Sequence, residues 1–423
     1  MKPFPFFWLV LIAFMPSLQA QDMEKVHRYL DTLCSNGLHG RGASFDGQKK
    51  AALYLSDRFR EIGLTPLPSS DSYFQKFHYD INTFPGKLSL RTAQSVLIPG
   101  IDFIVEPGSP SDNKKLKIMV LDSLLFCSEK RQKKFLSTNL RKKALIYDET
   151  FAKLLKTTSD QFFLKTKEAA CIVELKEKKL TMGLASSQNA KPSFQVLKQK
   201  FDATTKTLSY EIEAALLKNY EAENVIGFVK GTSVPDSFIF ITAHYDHLGN
   251  LGAAQYFPGA NDNGSGISML LELARFFKEN PSRYSIIFIA FGAEEAGLIG
   301  SNYFTENPLV ALSKIRFLIN LDLMGTGDEG MMVVNGSVFS AEFELLNNIN
   351  TKTMSVSPLK KRGKAANSDH FYFSEKGVPS FFFYTLGGIT AYHDVHDIPQ
   401  TLPLTKFREV FGLIKEFMKE LTD

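Results

Sequence analysis

The side chains in this sequence that could bind a metal or move a proton gather in its second half. Each stands at the end of an apolar run or in a glycine-rich turn. His244 and Asp246 are in "AHYDHLG", Asp262 is in "GANDNGSG", and the adjacent Glu294 and Glu295 are in "GAEEAGLIGS". Asp322 is in "NLDLMG", and His393 is in "YHDVHDIPQT". Imidazole nitrogen and carboxylate oxygen, with no thiolate, make a donor set that suits zinc. One catalytic zinc takes three protein ligands and keeps a position open, so five ligands are too many for one ion. They suffice for two if one carboxylate bridges. Taken singly, a histidine or aspartate at a strand end is more often a cap or a hydrogen-bonding core residue. Glu294 and Glu295 pose a question of their own, because neighbouring residues of a strand point to opposite faces. Either the pair is a solvated loop, or its two carboxylates have different tasks at one site.

Elements that could position these groups are written in the same region. "NVIGFVKG" and "FIFITA" read as strands joined by a turn containing Pro235 and Asp236. "GSGISMLLELARFFKE" reads as a helix with Ile267, Leu270, Leu271, Ala274 and Phe277 on one face. "SIIFIAF", "IRFLINL" and "SFFFY" are almost continuously apolar, as strands covered on both sides are. A last helix buries Phe407, Val410, Phe411, Ile414, Phe417 and Leu421. Strands alternating with helices predict an α/β fold with an open, largely parallel, twisted mixed sheet and helices on both faces. In such sheets ligands bind beyond the carboxyl ends of the strands, which is where His244, Glu294, Glu295 and Asp322 fall. Nearer the start, "GQKKAALYLSDRFREIGL" predicts a helix burying Ala52, Leu55, Phe59 and Ile62 and ending at Gly63. Between them, short β-type runs such as "LKIMVLD" and "KALIYD" alternate with Lys- and Ser-rich connectors and carry no motif. The expected organisation is one α/β domain in two parts, 21–85 and 222–423, with an inserted β-rich subdomain at 86–221.

Composition bounds the function. With 49 basic and 45 acidic residues among 423, the net charge of +4 is too balanced to indicate nucleic acid. "MKPFPFFWLVLIAFMPSLQA" has Lys2, an apolar run from Phe4 to Met15 and a small-residue end at Ala20, the pattern of a cleavable secretory signal peptide over residues 1–20. It is too short for a membrane anchor, and no cysteine follows it to carry a lipid. The mature protein is therefore expected outside the cytoplasm, secreted or periplasmic, with no stable membrane anchor. Cys34, Cys127 and Cys171 are too scattered for a zinc site, and Cys127–Cys171 is the one pairing that their shared segment suggests.

The quoted motifs, in this order, resemble those of the zinc-dependent aminopeptidases with two co-catalytic metals. That family includes secreted bacterial leucyl aminopeptidases, the membrane glutamate carboxypeptidase and the transferrin receptor. "SDHFYFSEKGVPSFFF" is similar to a further recurrent segment. The resemblance covers roughly residues 22–85 and 222–423 and implies two zinc ions bridged by Asp262. His244 and Asp322 would complete one metal position, and Glu295 and His393 the other. Asp246 would hold the His244 imidazole from behind. Glu294 would act as general base toward a hydroxide bridging the metals, and Tyr392 matches a tyrosine that polarises the substrate carbonyl in some members. Asp397 falls on the family's downstream acid, which leaves His396 and His247 outside the ligand set.

The activity implied is that of a metallo-exopeptidase acting on peptides, foremost an aminopeptidase. A glutaminyl cyclase of the same fold shares the look of "HYD", "LLELAR" and "LDLMG" but works with one zinc. A carboxypeptidase of the same family shares the metal motifs, and a non-catalytic receptor-like relative would lack ligands or base, which this chain keeps. Some members have an arginine directly before "SDH" that contacts substrate, where this chain has Asn367. The 86–221 insertion resembles the protease-associated insertion of some relatives in position only.

Overall fold

The computed structural model describes residues 21–202 and 204–422, so the expected signal peptide lies outside the described residues. Two helices come first, α1 (Met23–Leu33) and α2 (Gly47–Ile62). In α2 the expected apolar stripe is buried through Ala52, Leu55 and Phe59, and Gly63 ends the helix at a φ of 89° that glycine adopts without steric cost. Strand β1 (Phe74–Thr83) then lies at the edge of the main sheet.

Eight strands follow in a second sheet: β2 (Leu88–Thr92), β3 (Val96–Leu97), β4 (Phe103–Val105), β5 (Asp112–Val120), β6 (Lys143–Asp148), β7 (Cys171–Lys176), β8 (Ser193–Leu197) and β9 (Thr207–Ile212). Their order is β3-β2-β9-β5-β6-β7-β8-β4. Helices α3 (Glu129–Ser137), α4 (Glu149–Thr157) and α5 (Asp160–Thr166) join these strands, and their Phe135, Phe151 and Phe162 form a small core with Leu145 and Tyr147 of β6. Here the structure corrects the suggested disulfide: all three thiols are free, with Cys127 exposed and Cys171 buried. Strand alternation is the reason. Ile172 faces the helices and Phe126, whereas Cys171 points to the opposite face, among Phe103, Ala144 and Val173.

The chain re-enters the main sheet with β10 (Ala215–Val229) and β11 (Val234–His244), followed by α6 (Gly266–Glu279), β12 (Tyr284–Phe291), α7 (Ile299–Glu306) and β13 (Ile315–Leu321). After β14 (Met331–Val334), α8 (Ser340–Thr353), β15 (Leu359–Lys361), α9 (His370–Glu375) and β16 (Ser380–Thr385), α10 (Phe407–Thr422) closes the fold. The sheet order is β1-β10-β12-β11-β13-β16-β14-β15. The central neighbours β12, β11, β13 and β16 are all parallel, and antiparallel pairs flank them. The turn expected at Pro235 and Asp236 lies earlier, at 230–233, and both residues already belong to β11. Pairing of β11 with β12 is irregular between Val234 and Phe238, so a proline without an N–H interrupts no regular ladder.

The apolar runs are explained by burial on two sides. Ile239, Ile241 and Ala243 of β11 and Ile286, Phe288 and Ala290 of β12 pack with α1, α2, α6, α8 and α10. Their alternates Phe240, Ile287, Ile289 and Phe291 pack on the other face with Phe304 of α7 and Phe373 of α9. The parallel strands thus share one carboxyl end, where loops leave a core that holds them rigidly.

Candidate metal centre

The predicted residues lie at that carboxyl end, on or beyond several strands. His244 is the last residue of β11, Asp322 directly follows β13, and Glu294 and Glu295 lie three and four residues past β12. Asp262 sits in the glycine-rich turn before α6, and His393 in the loop after β16. The turns are tight: Ala293, Leu323 and His393, all at or beside the cluster, have φ of 57°, 53° and 52°. Backbone of this kind costs non-glycine residues and persists where the surroundings over-determine it, typically at functional sites.

Asp262 is the centre of the arrangement. Its Oδ1 lies 3.3 Å from His244 Nε2, and its Oδ2 lies 3.3 Å from His393 Nε2. Asp322 Oδ1 is 3.4 Å from His244 Nε2, and Glu295 Oε2 is 2.9 Å from His393 Nε2. One carboxylate therefore faces two separate imidazoles, each with a further acid beside it. Both imidazoles present Nε2 inward because Nδ1 is engaged behind. Nδ1 of His244 is 3.2 Å from the Asp246 carbonyl, and Nδ1 of His393 is 2.9 Å from the Met182 carbonyl. A carbonyl only accepts, so each Nδ1 carries a proton and Nε2 is the nitrogen left to bind a metal.

Asp246 does more than stand behind His244. Its carboxylate is 3.8 Å from that Nδ1, and its two oxygens accept the backbone N–H of Glu294 at 3.0 Å and of Glu295 at 3.2 Å. The glutamate pair is thus pinned as a tight turn rather than a strand, which lets adjacent side chains reach two places. Glu295 reaches His393, while Glu294 offers its carboxylate beside His244 and Asp322, within 4.8 Å of both. Asp322 Oδ2 accepts from Ser368 Oγ at 3.2 Å, and Asn320 Nδ2 donates to that hydroxyl at 2.8 Å. Asp397 accepts the backbone N–H groups of Asn261 at 2.8 Å and Asp262 at 3.0 Å, holding the turn that presents Asp262. Gly259 bends that turn at a φ of 60°, and a Cβ there would strike the Asp262 carbonyl.

Tyr392 is 44% exposed, stacked on the His393 ring at 4.1 Å, and lines a cavity of about 190 Å³ over the cluster. Leu323, Asn367, Phe382 and Tyr384 line the same cavity. His396 is exposed and outside it.

Three contributors went unread in the sequence. His247 is buried in the cluster, with Nδ1 2.7 Å from Glu295 Oε1; "HYDHLG" contained it, but the resemblance gave it no part. Arg41 is fully buried behind the site and spends all five N–H donors on carbonyls: Tyr245, Leu33, Pro258, Gly259 and Asp262. Its only mark in the sequence is a basic residue between two glycines in "HGRG". Asp369, in the "SDH" segment, is buried with both carboxylate oxygens lacking a hydrogen-bond partner among the described residues.

The electrostatics call for cations. Burial pushes the Glu294 carboxyl well above its ordinary range, and lifts Asp246 to about 6 and Asp369 to about 7. Burial opposes charge on His393, yet Asp262 and Glu295 raise that imidazole to about 11. Burial would also raise Asp262, but His244 and His393 hold it well below the carboxylate range. Asp322 Oδ1 and His247 Nε2 are buried and accept no hydrogen bond. Two sets of three donors, His244/Glu294/Asp322 and His247/Asp262/Glu295, each bring ligand atoms within 4.8 Å of one another. Nitrogen and oxygen donors crowded around excess negative charge fit a metal centre.

Part of the chain is similar to known peptidases. Residues 224–418 match the model of peptidase family M28. Aminopeptidase YwaD of Bacillus subtilis is 32% identical over 217 residues, which are 48% of this chain and 44% of that protein. A probable zinc metalloprotease of Pyrenophora teres f. teres is 36% identical over 104 residues, 24% of this chain and 22% of that one. The matched stretch spans less than half the length of these curated relatives. Among solved structures, BSAP, a zinc aminopeptidase from Bacillus subtilis, superposes with a TM-score of 0.69 over 94% of both chains at 22% identity. An aminopeptidase from Aneurinibacillus sp. strain AM-1 gives a TM-score of 0.65 over 95% of this chain and 94% of its own, at 20% identity. These structural likenesses establish the fold. The residues matched by the family M28 model, 224–418, hold His244, Asp262, Glu295, Asp322 and His393 and make up a little under half of the chain.

Proposed function

We propose that the protein is a zinc metallo-exopeptidase that removes N-terminal residues from peptides. The observation that carries this reading is Asp262, whose two oxygens each face a different histidine at 3.3 Å. His244 and Asp322 would hold one zinc, Glu295 and His393 a second, and Asp262 would bridge them. His247 would hold Glu295 through its outer oxygen, leaving the inner one for the metal. Zinc at these positions would supply Lewis acidity, polarising the scissile carbonyl and making water acidic enough to attack near neutrality.

The remaining work falls to side chains of the chain itself. Glu294, raised by burial, is suited to take the proton of the attacking water and return it to the leaving amine, a role typically contributing about 10²–10⁴-fold. Tyr392, part-exposed and lining the cavity, would polarise the substrate carbonyl. Carboxylates left over from metal binding would receive the substrate's free α-amine, and YwaD and BSAP, both described as aminopeptidases, support that end of the peptide. The signal-like residues 1–20 would send the protein out of the cytoplasm, and among the described residues no helix is long and apolar enough to cross a membrane.

A substrate panel after chelation and zinc restoration tests the reading. Peptides with free apolar N-terminal residues should be cut and N-acetylated ones spared, a contrast that can reach about 10⁴–10⁵ where a polar contact is left unpaired. Cyclisation of an N-terminal glutamine without peptide cleavage would replace the proposal with a cyclase. Loss of a C-terminal residue from a blocked peptide would replace it with a carboxypeptidase.

A further inference from the structure

We propose that the second sheet is a working part of the metal centre: its segment 179–182 positions His393 and thereby sets the affinity of one metal position and not the other. The inference rests on the reading of His393 as a ligand.

The contact is made at three carbonyls of the His393 loop. Met182 N–H donates to the His393 carbonyl at 3.1 Å, and the His393 imidazole returns a bond from Nδ1 to the Met182 carbonyl at 2.9 Å. Lys179 Nζ lies 3.4 Å from the carbonyls of both Thr390 and Tyr392, and 5.8 Å from the centre of the Tyr392 ring. The paired Met182–His393 bonds fix both the backbone and the ring plane of His393, a residue at a φ of 52° in a loop without regular structure of its own. An imidazole aims one nitrogen according to what the other bonds, so the Met182 carbonyl determines where Nε2 points.

Segment 179–182 is itself anchored. Leu180 and Met182 are buried in the core of the second sheet with Phe103, Val173 and Phe194. That core extends under the site: Leu248, Phe257 and Val395 belong to it, and they come four residues after His244, five before Asp262 and two after His393. The two histidines therefore differ in kind. His244 takes its orienting carbonyl from Asp246, two residues along the same loop, so that imidazole is aimed from within its own loop. His393 takes its carbonyl from Met182, 211 positions away in the connection between β7 and β8 of the second sheet.

The test is a zinc competition titration against a chromophoric chelator, on the full chain, with four variants. Lys179→Met combined with Met182→Gly removes the ammonium and frees the backbone at the contact. One of two zinc equivalents should weaken by about 10–100-fold, the usual worth of an outer partner of a ligand, while the other stays within about twofold. Lys179→Met alone alters an exposed side chain, so the fold is safe even where the double variant is not. It should weaken the same equivalent by about threefold to tenfold, the value of a hydrogen bond or so, and Lys179→Arg should restore it. His393→Ala is the control and should lose that equivalent altogether. If His393→Ala loses one equivalent while both Lys179→Met and the double variant bind two as tightly as the unaltered protein, the inference is overturned and the proposed function stands. If His393→Ala keeps both equivalents tight, the ligand assignment itself fails.

Discussion

Glu294→Gln and Glu295→Gln make the same chemical change at adjacent positions, and the structure predicts opposite consequences. Glu295 uses both oxygens, Oε1 at 2.7 Å from His247 Nδ1 and Oε2 at 2.9 Å from His393 Nε2. An amide offers one acceptor where two are needed, so its NH₂ must face either the His247 donor or the metal. One lost charge-assisted bond is worth about 1.5–3 kcal/mol, or about 10–100-fold in zinc affinity at that position. Glu294 is fixed through its backbone, by the Asp246 carboxylate at 3.0 Å, and a glutamine keeps that bond and the side-chain volume. What it loses is a place for the proton, so kcat should fall by about 10²–10⁴, equivalent to about 2.7–5.4 kcal/mol in the barrier. Zinc content and KM should stay near normal. Metal analysis of gel-filtered protein, with steady-state kinetics on a peptide with a free N-terminus, reads both effects. Equal zinc content and equal kinetics in the two variants would refute the division of labour.

Three further outcomes follow from the same geometry. His247→Leu should weaken one zinc by about 10–100-fold, and His247→Asn, whose amide can reproduce Nδ1–H, should recover most of it in the same titration; complete loss with no rescue would make His247 a ligand. Arg41→Met leaves five buried carbonyls without their donors and should destabilise the fold by at least about 3 kcal/mol in urea unfolding, whereas a change under about 1 kcal/mol would show that water replaces the guanidinium. Stability of the chelated protein should fall as pH rises from about 5 to about 8. Burial lifts Asp246 to about 6 and Asp369 and Asp397 to about 7, and His393 is raised to about 11 by its acids, so the folded chain holds more protons than the unfolded one. Stability from such groups is fully present below their unfolded values, near 4 and 6.5, and is lost as pH passes through the folded values. A chelated protein that melts higher at pH 8 than at pH 5 would contradict this.

What could be read from the sequence is what depends on short-range pattern. The strands at 234–244, 284–291 and 315–321 were visible because burial on two faces leaves continuous apolar runs, and the acids and histidines at their ends were visible because parallel strands share one carboxyl edge. The helix ending at Gly63 showed its 3.6-residue spacing and its left-handed cap. Contacts set by long-range packing were not visible. Nothing near Arg41 announces that Tyr245, Pro258, Gly259 and Asp262 will wrap it, and nothing in "KLTMGL" ties Met182 to His393. The disulfide guess failed for a related reason: shared segment says little about shared face, and β7 turns Cys171 away from Phe126 and the helices. His247 was visible as a residue but not as a partner, because its role depends on the turn at Glu294 and Glu295 coming back to meet it.

The central claim is that Asp262 bridges two zinc ions, and anomalous diffraction at the zinc edge tests it most directly. Crystals of the zinc-loaded protein should show two peaks about 3.5–4 Å apart, as in other two-metal hydrolases. One should lie beside His244 and Asp322, the other beside Glu295 and His393, with Asp262 between them. A single peak at full activity, or peaks away from Asp262, would contradict the account.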